Sequence, residues 1–241
     1  MPAYNAEATL ERIVSSIPPD CYDEILLVDD ASRDRTVEVA RRLPVTVIEH
    51  PVNRGYGANQ KTCYREALAR GADFVAMLHP DFQYDARLIP AAFDVLRVGV
   101  CDVVLGNRIR TRREALEGGM PLVKYAANRL LSLVENVLAG QNLGEWHSGF
   151  RAYRREVLET LPLARNSDDF LFDSQVLLQC VDFGFKLGDL PMPVRYLDES
   201  SSISLSRSTV YALGTLGTFA AWYAHRTGLV RSPLFRPRDR G

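Results

Sequence analysis

The chain has 241 residues, 46% of them hydrophobic and 24% charged, with 16 Gly and 13 Pro, a composition that allows a sizeable core in one or two globular domains. A formal net charge of -1 excludes a global basic field for nucleic acid, so no nucleic-acid partner is expected. Four scattered cysteines, Cys21, Cys63, Cys101 and Cys180, exclude a paired zinc-ligand spacing and suit buried thiols in a reducing compartment.

In chain order, Leu10, Ile13, Val14 and Ile17 recur at helical spacing and stop at Pro18-Pro19. The run "EILLVDD" reads as a buried strand ending in two acids. A helix from Asp34 to about Leu43 leads into the strand "VTVIEH", and one after Gly57 leads into "DFVAMLH". A further helix near Leu88 to Val98 precedes "DVVLGNR". Nearly all-apolar strands alternating with helices predict an α/β fold, a mostly parallel sheet with helices on both faces. Ligands bind such sheets beyond the carboxyl ends of the strands, where Asp29-Asp30, Asn53 to Gly57, His79 to Asp85 and Asn107-Arg108 all fall.

The second half is less regular. Pro121 to about Ala139 reads as a helix, "WHSGFRAYRREVL" as a loop entering a short helix, Phe170 to Phe183 as a helix, and "KLGDLPMPVRY" as an extended piece. Ser208 to Ala224 is uncharged, but Thr and Gly dilute it at the short limit for a membrane span. An interfacial or domain-packed helix is expected there. The N-terminus lacks the pattern of a secretory signal, so a cytoplasmic location is expected.

Each polar cluster has two readings. Asp29 and Asp30 could accept hydrogen bonds from a nucleobase or ribose, or an acid there could cap the next helix, which Ser32 or Asp34 could also do. The "NRGYGANQK" loop, with Gly57, could approach a ligand through backbone N–H groups or serve as a turn. His79, Asp81, Gln83 and Asp85 alternate and would share one face of an extended segment. Of these, His79, Asp81 and Gln83 could ligate a divalent ion bridging a diphosphate, or form a solvated turn. Arg151 suits phosphate, and Asp173 could be a base or a helix cap.

Taken in order, "PAYNAE", "LLVDDAS", "NRGYGAN", "HPDFQYD", "GNR" and "HSGFRAYRREVL" resemble glycosyltransferase family 2, especially its polyprenyl-phosphate and dolichol-phosphate sugar transferases, from Pro2 to about Ser204. The resemblance implies the GT-A fold, a nucleotide-binding sheet, and inversion at the anomeric centre. It assigns Pro2, Tyr4 and Glu7 to the nucleotide pocket, and Asp29 and Asp30 to base and ribose. Asp81 matches the second acid of the family's metal motif and Gln83 the Gln that often follows. His79 replaces the first acid, which shifts the expected preference from Mg toward Mn. The strand that precedes "PAYN" in the family is expected to be missing.

The expected organisation is a GT-A domain over residues 1–207 and a C-terminal apolar helix with a basic tail over 208–241. The expected enzyme is a hexosyltransferase moving sugar from a UDP- or GDP-linked donor to a polyprenyl-phosphate-type lipid at the inner membrane face, with peripheral membrane contact. Asp81, Arg108, Arg151 and Asp173 are the expected catalytic set, with a divalent metal, Mn or Mg. A saccharide hydroxyl acceptor, or a degenerate nucleotide-sugar binder without activity, are the alternatives.

Overall fold

A computed structural model describes residues 1–193 and 205–237, with the side chains of 205–209 excepted. The strands are β1 (Pro2–Ala3), β2 (Leu26–Asp29), β3 (Thr46–Glu49), β4 (Phe74–Met77), β5 (Val103–Asn107), β6 (Arg151–Arg154) and β7 (Leu187–Pro191). The helices are α1 (Leu10–Ser16), α2 (Thr36–Ala40), α3 (Tyr56–Ala69), α4 (Ile89–Val98), α5 (Arg112–Glu117), α6 (Leu122–Ala139), α7 (Arg155–Thr160), α8 (Leu171–Asp182) and α9 (Leu205–Arg226). The ends of α4 and α6 follow from glycine: Gly99 at φ +78° and Gly140 at φ +64° take the left-handed conformation that stops a helix.

The chain is α/β, as expected, but its strands form two sheets. One is wholly parallel, in the order β1-β2-β3; the other is mixed, in the order β4-β6-β5-β7. The segment "RAYR", expected to be loop and helix, is β6, inserted antiparallel between β4 and β5. Its flanking arginines hide the strand signal, because Arg151 is itself buried and Ala152 and Tyr153 face a filled core. The expectation of a mostly parallel sheet is corrected at this one strand.

Where a first strand was expected to be missing, Pro2 and Ala3 pair in parallel with Val28 and Asp29. Before them the Met1 ammonium donates to Leu26 O at 2.7 Å, and Val28 N–H donates to Met1 O at 2.9 Å. A groove of about 540 Å³ lies beside Met1, lined by Ile25, Leu26 and Phe74 to Leu78.

Two hydrophobic clusters flank the sheets. One holds Leu10, Ile13, Leu27, Phe93 and Phe150; the other holds Tyr64, Trp146, Tyr153, Phe172 and Val176. Phe219 and Trp222 of α9 belong to the second cluster, and Trp222 Nε1 donates to Asp182 at 2.7 Å. One face of the C-terminal helix is therefore part of the domain core. The expected boundary at residue 207 falls inside α9.

Candidate functional site

The site forms where β2, β4 and β5 end. Beyond β1, the loop at residues 4–7 is knitted to the loop at 32–36: Asn5 N–H donates to Ser32 Oγ at 2.8 Å, Ala6 N–H to Thr36 Oγ1 at 2.7 Å, and Glu7 N–H to Asp34 Oδ2 at 3.1 Å. Asp34 also accepts from Thr36 N–H at 3.0 Å, an Asx-type turn that leads into α2. Pro2 lies in β1, Tyr4 is exposed, and Glu7 accepts from Arg35 N–H at 2.7 Å.

Asp29 and Asp30 are both buried. Asp29 accepts from the backbone and hydroxyl of Ser32. Asp30 accepts from Arg54 N–H and Gly55 N–H, each at 2.9 Å, and meets His50 Nδ1 at 2.7 Å. Its carboxylate thus latches the glycine loop in place, a role that reading it as a ribose ligand did not foresee. Gly57 also meets protein. Its N–H donates to Asp168 O at 2.8 Å, and a Cβ there would lie 2.5 Å from Ser167 O. Glycine is needed at 57 because α3 begins against the 166–168 backbone, which occupies the donor expected to meet a ligand.

The segment from His79 to Asp85 is a turn, not an extended strand, since β4 stops at Met77 and Phe82 has φ +57°. The expected single face is therefore broken. Asp85 turns to cap the next helical turn and pairs with Arg87 at 2.6 Å. Asp81 is half-buried and accepts from Gln83 N–H at 3.2 Å, while Gln83 is buried. His79 Nε2 lies 3.1 Å from Tyr56 Oη and packs so closely on Gly149 that a Cβ there would sit 2.8 Å from it. That nitrogen faces Tyr56 and Gly149 in this arrangement. Burial, opposed by the Asp81 charge, pushes the imidazole below its ordinary pKa.

Among the described residues no three His, Cys, Asp or Glu side chains converge on one point. A divalent ion at this turn would have the Asp81 carboxylate to hold it and would need oxygens from a bound diphosphate and water to fill its shell.

Two buried ion pairs organise the other side. Arg108 forms a bidentate pair with Glu145, its backbone N–H also donates to that carboxylate at 2.9 Å, and its guanidinium reaches His147 O at 3.0 Å. Burial works against the Glu145 charge, but Arg108 outweighs it and lowers the pKa. Arg151, 1% exposed, donates to Ser148 O and Asp173 O, both at 3.0 Å, and stands 3.3 Å from the Asp173 carboxylate. Burial disfavours its charge, yet Asp173 more than compensates and its pKa rises. Through these contacts Arg108 and Arg151 hold the 145–151 loop in shape.

Asp173 Oδ2 accepts from Tyr56 Oη at 2.8 Å and Oδ1 from Gln60 Nε2 at 3.0 Å. Burial, then the Asp173 charge, raises the Tyr56 pKa well above its ordinary value, so the phenol remains a donor. Tyr56, Gln60 and Glu145 were missed by sequence reasoning. Tyr56 and Gln60 stand four apart on α3 and so share a face, a spacing that was legible. Glu145 carries no local signal.

Residues 1–161 match the sequence profile described as Glycosyl transferase family 2. Among curated relatives, the UDP-N-acetylglucosamine–dolichyl-phosphate N-acetylglucosaminyltransferase of Methanococcus voltae is 26% identical over 89% of this chain and 90% of its own. The undecaprenyl-phosphate mannosyltransferase of Micrococcus luteus is 26% identical over 95% and 97%. Among solved structures, glucosyl-3-phosphoglycerate synthase from Mycobacterium tuberculosis, in complex with Mn2+, UDP and glucosyl-3-phosphoglycerate, superposes with a TM-score of 0.67 at 22% identity, covering 91% of this chain and 77% of that one. That likeness establishes the GT-A architecture.

Proposed function

The chain belongs to glycosyl transferase family 2, and from that premise we propose that it moves a sugar, with inversion, from a nucleoside diphosphate donor to the phosphate of a polyprenyl-type lipid. The observation that carries the acceptor class is the state of Asp173. Tyr56 holds its Oδ2, while Gln60 and the Arg151 guanidinium face its Oδ1, so three of the roughly four lone-pair sites of the carboxylate are turned to protein donors. A hydroxyl acceptor needs a general base with a lone pair aimed at its proton. A phosphate monoester, with a second pKa of about 6, arrives ionised and needs none. The names of the relatives from Methanococcus voltae and Micrococcus luteus support the same class.

In this reading an acceptor phosphate oxygen attacks the anomeric carbon while the bond to the diphosphate oxygen breaks. The nucleoside diphosphate leaves with that electron pair, and no proton changes hands. A divalent ion at Asp81 would supply electrostatic stabilisation of the leaving diphosphate. The loops at 4–7 and 32–36 form the nucleotide side, with Tyr4 exposed to stack on or flank the base. Arg108 and Arg151 act as positioning residues that fix the loop facing the sugar. The lipid acceptor puts the enzyme at a membrane face.

The test is nucleoside diphosphate release by the full chain across UDP- and GDP-sugars with Mn or Mg, offering a short-chain polyprenyl phosphate, the matching polyprenol, or a saccharide. Release that depends on the phosphate is expected. Release driven by the polyprenol or saccharide would replace the reading with a hydroxyl transferase, and donor binding without release would replace it with a degenerate binder.

A further inference from the structure

Helix α6 has inverted polarity. Its inward face is polar: Ser132 and Glu135 are buried, Asn128 Nδ2 donates to Glu145 at 3.1 Å, and Asn136 Oδ1 accepts from Trp146 Nε1 at 2.8 Å. Its outward face is aliphatic, with Val123, Leu130, Leu133 and Val137 exposed by 71%, 65%, 59% and 73% at heptad-like spacing. A helix obeying water alone would turn the other way. Beside it, Tyr223 Oη of α9 donates to Leu138 O of α6 at 2.5 Å, and α9 exposes Val210, Leu213 and Leu216 at three-residue intervals. Nine of the fifteen large hydrophobics exposed among the described residues lie on these two helices, so the patch is concentrated, not scattered.

Charge identifies what covers the patch. The only acid in α6, Glu135, is fully buried within reach of His147 at 3.0 Å, and α9 contains no acid. The exposed charges on the two helices among the described residues are Lys124, Arg129 and Arg226, and Arg231 follows just beyond α9. No helix among the described residues is long and apolar enough to cross a membrane. Exposed aliphatic side chains on helices whose own exposed charges are cationic match an anionic bilayer surface, into which an amphipathic helix sinks part way. A second copy of this face would oppose cation to cation.

We propose that the outward face of α6, extended by α9, docks this protein on anionic lipid. The proposal rests on the lipid-phosphate acceptor reading and gives it a geometry: the inward side of α6 holds Glu145 on Arg108, so one helix joins the bilayer to the sugar-facing loop.

The experiment uses the full chain and the double variant Leu130→Gln/Leu133→Gln, with Val137→Gln as a second variant, sedimented with phosphatidylglycerol or phosphatidylcholine vesicles containing no acceptor. These side chains touch water in the folded protein, so melting temperature should hold. The wild type is expected to sediment with phosphatidylglycerol and far less with phosphatidylcholine. The double variant should bind on the order of tenfold more weakly, through lost aliphatic insertion. Nucleoside diphosphate release with a detergent-dispersed short-chain polyprenyl phosphate should match in both proteins. No sedimentation of the wild type, or equal sedimentation of the variants, would overturn the proposal. So would a wild-type dimer that the variants dissociate without any vesicle binding, which would assign the face to self-association. Failure of release with every polyprenyl phosphate, while vesicle binding persists, would overturn the acceptor reading alone.

Discussion

Asp30 accepts the backbone N–H of Gly55 at 2.9 Å, and through this contact the end of β2 fixes the entrance of α3. Asp30→Ala would orphan that donor, the Arg54 N–H and the His50 ring nitrogen together. Buried hydrogen bonds to a charged group contribute about 1.5–3 kcal/mol each, part of which water entry restores. We predict a loss of about 2–4 kcal/mol in urea unfolding. An unchanged unfolding midpoint would mean that Asp30 serves a ligand and not the loop.

The Arg108–Glu145 pair, with side chains 8% and 0% exposed, makes a pH-dependent contribution of determinable sign. Glu145 is lowered from 4.5 in the fold, so its stabilisation is present above that value and is lost as pH falls through the depressed folded value. Glu145→Gln should therefore cost stability at neutral pH, on the order of 3–5 kcal/mol because Arg108 is left buried without its counter-charge, and should flatten the acid side of the stability profile. Arg108→Met combined with Glu145→Leu should recover much of the loss. A double variant as unstable as the sum of the singles would count against the pairing.

Asp81 and His79 should separate experimentally. With His79 Nε2 turned to Tyr56 and Gly149, Asp81 is the anionic side chain of that turn left to meet a metal and diphosphate. Asp81→Ala is predicted to lower turnover on the order of 10²- to 10³-fold with little change in melting temperature. His79→Asp should leave the Mn-to-Mg preference of turnover unchanged, whereas a shift toward Mg would restore His79 as a ligand.

The strands were legible in the sequence because nearly unbroken apolar runs between helices have few other readings; "LLVD", "TVIE", "FVAM" and "VVLGN" each became a strand. β6 was not, since Arg151 and Arg154 mask it and only tertiary pairing makes a buried arginine acceptable. The site was legible in its addresses, not in its wiring. Asp30, Gly57, Arg108 and Arg151 all lie near the expected sheet edge, but their partners, Gly55, Asp168, Glu145 and Asp173, come from chain segments whose approach no local pattern encodes.

Asp173 provides the sharpest discrimination of acceptor chemistry. In Asp173→Asn the side chain keeps one oxygen to accept from Tyr56 or Gln60, while Arg151 retains its carbonyl partners at Ser148 and at residue 173 itself. The hydrogen bonds of the cluster should largely survive with the carboxylate charge gone, at a stability loss on the order of 3–5 kcal/mol because Arg151 is left buried without its counter-charge. If the nucleophile arrives as a phosphate oxyanion, kcat should stay within about tenfold of wild type, because no proton is removed in the transition state. If Asp173 deprotonates a hydroxyl, kcat should fall by roughly 10²- to 10⁴-fold. Arg151→Lys supplies the complement: the charge remains, but the planar guanidinium that bridges Ser148 and Asp173 is lost. Loop disorder would then raise KM for the donor while Asp173→Asn leaves it nearly unchanged. Steady-state kinetics of both variants against one donor and one polyprenyl phosphate would measure this split, and a large kcat loss confined to Asp173→Asn would reverse the acceptor assignment.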